Sequence, residues 1–122
     1  MNNVAYFEIQ ASDPEALVKF YSEVFDWKFE KDENLPISYY RITNLYGPLG
    51  AILKRPVPTP QMPAGTNAFT CSMQVASFDA CASKILELGG QVAMEKFLIP
   101  NKCWQGYFLD SDNNVFGIFE AL

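Results

Sequence analysis

The chain has 122 residues, enough for one compact domain, with nine basic and fourteen acidic side chains and a net charge of −5. Apolar residues make up 49% and aromatics 15%, which excludes a disordered chain. The acidic balance, with Lys and Arg scattered, lacks the electrostatic footprint of a nucleic-acid or anionic-membrane binder.

In chain order, Val4 to Gln10 alternates, with Phe7 and Ile9 on one face and Tyr6, Glu8 and Gln10 on the other, the pattern of a half-buried strand. Ser12-Asp13-Pro14-Glu15 reads as a helix start: Ser12 and Glu15 have capping-box spacing and Pro14 suits the first turn. Leu17, Phe20, Tyr21 and Val24 then recur at helical spacing. Strands are expected near 28–31, 37–43 and 50–54. The four prolines of 55–63 predict a stiff connector.

Past the connector, Phe69, Cys71, Met73 and Val75 are expected on one face of a strand, and Thr70, Ser72 and Gln74 on the other. Ser77 is an N-cap candidate for a helix that carries Phe78, Cys81, Ala82, Ile85 and Leu88 inward and stops at Gly89-Gly90. Strands are expected near 91–97, 104–109 and 115–120, the last two joined by a tight turn at Asp110–Asn114. That turn is no EF-hand, since Val115 stands where the loop needs Gly and Ala121 where it needs Glu.

The two halves repeat. Tyr6–Ala16 aligns on Thr70–Ala80, with Gln10/Gln74 and Ala16/Ala80 identical, and each half reads strand, helix, three strands. The expected organisation is a single domain over 1–122: a first module at 1–54, a Pro-rich linker at 55–65 and a second module at 66–122. In both first strands the apolar face meets the helix. The polar face, with Tyr6, Glu8, Thr70 and Ser72, then looks to the opposite, concave side.

No histidine is present, which excludes Ser-His-Asp and Cys-His catalysis and His-based zinc sites. Three cysteines without CxxC spacing fit reduced thiols. Cys71 and Cys81 are expected buried and structural by parity, and Cys103, beside Lys102, is the candidate reactive thiol. No run reaches the ~18 apolar residues of a membrane span. The start Met-Asn-Asn-Val has no basic segment followed by an apolar one, so a cytoplasmic protein is the expectation.

Three segments resemble the vicinal oxygen chelate superfamily, also called the glyoxalase/bleomycin-resistance/dioxygenase fold: 12–27 (SDPEALVKFYSEVFDW), 75–92 (VASFDACASKILELGGQV) and 108–117 (FLDSDNNVFG). They stand in the family's order and span nearly the whole chain. The resemblance implies an α+β fold of two tandem βαβββ modules, forming a curved, U-shaped mixed sheet with helices on its outer face. It also implies a tendency to form homodimers, some by module exchange. Metal-dependent members place His, Gln or Glu on the first and fourth strands of each module. Carried over, those points are Tyr6, about Gly50, Thr70 and Gly117, none a good ligand, so no metal and no cofactor is expected.

The expected partner is therefore a small organic molecule in the cleft between modules, with no nucleic acid and no membrane. The candidate ligand-binding residues are Tyr6, Glu8, Thr70, Ser72, Trp104 and Gln105. Glu8 is the candidate catalytic residue, as a general base or as a carboxylate for a cationic ligand group. Two alternatives stay open. One is a glyoxalase-like lyase or isomerase, or a dioxygenase-related enzyme, in which Glu8 acts as acid/base or holds a divalent ion together with Glu120. The other is an interaction protein whose pocket is filled by Tyr6 and neighbouring Phe side chains.

Overall fold

The structure is a computed structural model and describes residues 3–59 and 68–122. The chain divides into two compact units, Met1–Thr59 and Pro60–Leu122. Residues 60–65 of the expected connector lie outside the described residues.

The first unit holds β1 (Tyr6–Ala11), α1 (Pro14–Phe25), β2 (Phe29–Lys31), β3 (Tyr39–Ile42) and β4 (Leu49–Lys54). Its sheet runs β1-β4-β3-β2, with β1 parallel to β4 and the other pairs antiparallel. The parallel pair is possible because α1 and two strands lie between its members in sequence, a connection long enough to return the chain. The cap of α1 is Asp13 rather than Ser12: its side chain accepts from Ala16 N at 3.3 Å, and Pro14 occupies the first position, where no N–H is needed. Asp26 ends the helix in the left-handed conformation, at φ 58°.

Leu17, Phe20 and Tyr21 of α1 are buried. Tyr21 stacks on Trp27 at 5.2 Å between centroids, and Phe7 and Phe29 approach the same indole at 6.2 and 6.4 Å. Tyr21, Trp27 and Ile52 belong to the unit's core, with Phe7 and Phe29 half-buried beside them, and each fully buried side chain stabilises by about 1.5–3 kcal/mol. Tyr40 joins the helix side, its hydroxyl donating to Glu15 of α1 at 3.4 Å. Its neighbour Tyr39 therefore faces the other side of the sheet.

The second unit holds β5 (Ser72–Gln74), α2 (Phe78–Glu87), β6 (Gln91–Ile99), β7 (Cys103–Leu109) and β8 (Val115–Ala121). Its sheet runs β5-β8-β7-β6, with β5 parallel to β8. The two units thus share one strand order, a mixed four-stranded sheet carrying one helix, as the internal repeat predicts. Ser77 caps α2 through Ala80 N at 3.2 Å. The helix stops as expected: Gly89 takes φ +92° and its N–H bonds Leu86 O, while the Gly90 N–H reaches Ile85 O at 2.9 Å. The Asp110–Asn114 turn is held by Asp110, whose Oδ1 accepts from the N–H groups of Asp112 and Asn114 at 2.8 and 3.0 Å.

Two burial expectations are corrected. Phe69 is 96% exposed and Cys71 is exposed, because the ladder begins only at Ser72 and strand alternation buries nothing before it. Cys103, the candidate reactive thiol, is buried on β7. Cys81 is half-buried, and burial pushes its thiol up to about 11.

Candidate functional site

The helix-free face of the first unit is fixed by register. Across the sheet, Glu8 pairs with Ala51 and Ala51 with Arg41, which pairs with Glu30. One row over, Gln10 pairs with Leu53 and Leu53 with Tyr39; Tyr6 pairs with Leu49. Register partners share a face, so Tyr6, Glu8, Tyr39 and Arg41 stand together opposite α1. The Tyr39 hydroxyl donates to Glu8 Oε2 at 3.2 Å and hydrogen-bonds the Tyr6 hydroxyl. Burial, then the Tyr6 hydrogen bond and charge, then Glu8, raise the Tyr39 phenol well above its ordinary value, so it stays protonated. Arg41 Nη1 is held by Asp32 Oδ2 at 2.5 Å.

Sequence alone leaves the choice between Tyr39 and Tyr40 open. Adjacent tyrosines must face opposite ways, but alternation alone does not say which looks inward. The Tyr40–Glu15 contact decides it.

In the second unit, Ser72 pairs with Gly117 and Gly117 with Tyr107. Gln105, 6% exposed, donates from Nε2 to Ser72 Oγ at 3.1 Å. The Tyr107 ring stacks on Phe97 at 6.4 Å. Ser72 and Gln105 are thus together on the helix-free face. Trp104 is not with them. It pairs with Glu120, shares the parity of Gly106 and Phe108 beneath α2, and lies under Lys96, whose Nζ is 4.8 Å from the indole and 5.3 Å from the Phe78 ring. Thr70 precedes β5 and is exposed.

The family's ion-bearing points do not fit a metal in this chain. The fourth-strand point of the first unit, expected near Gly50, moves by one residue: Gly50 pairs with Phe7 on the helix side, under the Phe7 ring, and Ala51 is the residue opposite Glu8. Alanine has no donor. Tyr6 already shares its hydroxyl with Tyr39. At Gly117 the space a side chain would enter is taken by Ser72 Oγ, Gln105 Nε2 and the Tyr107 ring. Glu120 is committed elsewhere, its Oε1 accepting the Phe78 N–H at the start of α2 at 2.7 Å. Among the described residues no group of three or more Cys, Asp or Glu is placed to hold an ion. No helix among them is long and apolar enough to cross a membrane.

Comparisons with known proteins agree with this architecture. No curated protein matches the chain. Among solved structures, a glyoxalase/bleomycin resistance protein/dioxygenase family enzyme from Burkholderia phytofirmans PsJN superposes with a TM-score of 0.76 at 16% identity, covering 98% of this chain and 99% of that one. A fosfomycin resistance protein FosX variant from Listeria monocytogenes, solved with manganese(II) and a dihydroxypropylphosphonic acid, gives 0.74 at 15% identity, covering 100% and 94%. TioX from Micromonospora sp. ML1 gives 0.69 at 14% identity, covering 99% and 100%. At these identities the likeness is one of fold. The sequence profile of one family matches residues 3–118, and on that match, with the repeated βαβββ unit beneath it, the chain belongs to the Glyoxalase/Bleomycin resistance protein/Dioxygenase superfamily.

Proposed function

We propose that this chain binds a small organic molecule without the help of a metal ion, using the helix-free faces of its units. The observation that carries the reading is the hydrogen-bonded chain Tyr6–Tyr39–Glu8 on the first unit's open face. Polar side chains converging on an apolar strand, here Leu49, Ala51 and Leu53, are what a small-molecule site needs. The second unit, taken by itself, carries its own polar pair on its helix-free face, Ser72 and Gln105. The missing donors at Ala51 and Gly117 support binding that does not run through an ion, in contrast to the manganese-bound FosX variant.

The test is a thermal-shift screen of organic ligands on the unaltered chain and on Tyr39→Phe. Ligands that raise the melting temperature of the first and not of the second support the site. A broad panel with no effect on either counts against it.

A second reading, a glyoxalase-like lyase or isomerase in which Glu8 moves a proton, is favoured by the exposed carboxylate held against a phenol. Unchanged turnover in Glu8→Gln removes it. A homodimer belongs to the same proposal. It is supported by Val92, Met94 and Leu98, exposed along the edge strand β6, and is read by light scattering.

A further inference from the structure

The direction of the hydrogen bonds in the Tyr6–Tyr39–Glu8 chain says what kind of ligand it takes. A carboxylate has no hydrogen to give, so the single hydroxyl hydrogen of Tyr39 is spent on Glu8 Oε2. Tyr39 therefore has none left for Tyr6, and the Tyr6–Tyr39 bond runs with Tyr6 as donor. Both phenolic hydrogens point inward along the chain. What the chain turns toward a ligand is lone pairs only: those of Tyr6 Oη and those of Glu8 not taken by Tyr39.

The charges on the same face point the same way. Of the charged strand residues there, Glu8, Glu30 and Arg41, the only cation is Arg41, and it is held by Asp32. Lys31 and Lys54 lie on the helix side, Lys31 over the Tyr40 ring and Lys54 on Ser12 O. Arg55, past the end of β4, donates to Gln10 O. Three carboxylates, counting Asp32 past the end of β2, thus stand against two guanidiniums, counting Arg55 past the end of β4, and both guanidiniums already have partners. Beside them, Tyr6 and Leu49 are half-exposed and offer apolar surface to a ring.

We propose that the ligand is a hydrogen-bond donor carrying a cationic nitrogen (an ammonium, amidinium or guanidinium) on an aromatic or apolar body, and that anionic ligands are excluded. This rests on the small-molecule reading of the same face and names its ligand class.

The experiment uses benzamidinium, phenethylammonium, benzyl alcohol and benzoate as probes, titrated into the isotopically labelled full chain and followed by amide chemical shifts on β1 and β3. The two cations are expected to shift the amides around Tyr6, Glu8 and Tyr39, with saturation at about tenfold lower concentration than the alcohol and no response to benzoate. Glu8→Gln, at an exposed position that leaves the core intact, is expected to weaken the cations about tenfold and the alcohol by much less, because the amide keeps an acceptor oxygen and loses only the charge.

Benzoate binding as tightly as the cations, or cation binding indifferent to Glu8→Gln, overturns the assigned ligand class while small-molecule binding at this face stands. Shifts from none of the four probes at β1 and β3 overturn the ligand class. If the broader ligand screen is also silent, the small-molecule reading falls with it.

Discussion

Glu120 on β8 accepts the backbone N–H of Phe78 at 2.7 Å, so a carboxylate that sequence alone offers as an ion ligand instead closes the start of α2. The first N–H groups of a helix have no partner within it, and a negative charge there is also favoured by the helix dipole. Glu120→Ala is expected to destabilise the chain by about 1–2 kcal/mol in urea unfolding. Glu120→Gln, which keeps an acceptor oxygen, is expected to cost less. Equal stability of the alanine variant and the unaltered chain would show that the contact contributes nothing.

Gly50 sits under the Phe7 ring. A Cβ added there would lie 2.5 and 2.7 Å from Phe7 Cε1 and Cε2. The ring is pinned against Trp27, so it cannot give way as the end of a flexible chain would. Gly50→Ala is therefore expected to cost about 1–3 kcal/mol by overpacking. The measurement is the urea midpoint, with near-ultraviolet dichroism reporting the Trp27 surroundings.

Arg41 holds the Asp32 carboxyl below its ordinary value of 3.8, chiefly by a direct hydrogen bond, and the Asn34 N–H adds to it. An acid whose folded-state value is lowered binds its proton more weakly in the folded chain than in the unfolded one. Its stabilisation is therefore complete above 3.8 and is lost as pH falls through the lower, folded-state value. Asp32→Asn is expected to unfold at lower urea than the unaltered chain near neutral pH, with the gap closing in strong acid. A gap that does not change with pH would contradict the pairing.

The thiols should sort by exposure. Cys71 is exposed, Cys81 is half-buried with its thiol pushed up to about 11, and Cys103 is buried. At about pH 8 only on the order of a thousandth of Cys81 is thiolate. A disulfide-exchange reagent is expected to show one fast thiol in the folded chain, absent from Cys71→Ser, with the other two released by urea. A fast phase that survives Cys71→Ser would contradict this ordering.

These thiols also show where the sequence stopped being legible. Alternation and helical stripes carried both modules, because α1 and α2 each bury one face and end in recognisable caps, Asp13 and Ser77, with Gly89-Gly90 closing α2. The same alternation placed Tyr6 and Glu8 away from the helix. It misplaced Cys71, since parity holds only within a ladder and β5 begins at Ser72. It puts Trp104 and Gln105 on opposite faces but does not say which of them meets the helix, because the burial along β7 shows no period. The one-residue shift from Gly50 to Ala51 is a matter of register with β1, which no local pattern encodes.

The most direct measurement is isothermal titration of the purified full chain with a ligand from the thermal-shift screen, in parallel with and without a strong chelator, and with manganese(II), magnesium(II) and zinc(II) alone. The expected result is ligand binding of the same affinity and stoichiometry in both buffers, abolished or weakened in Tyr39→Phe, with no stoichiometric heat from any of the ions. Ligand binding that vanishes with the chelator, or one equivalent of a divalent ion bound tightly by the chain alone, would contradict a metal-free site built on Tyr6, Glu8 and Tyr39.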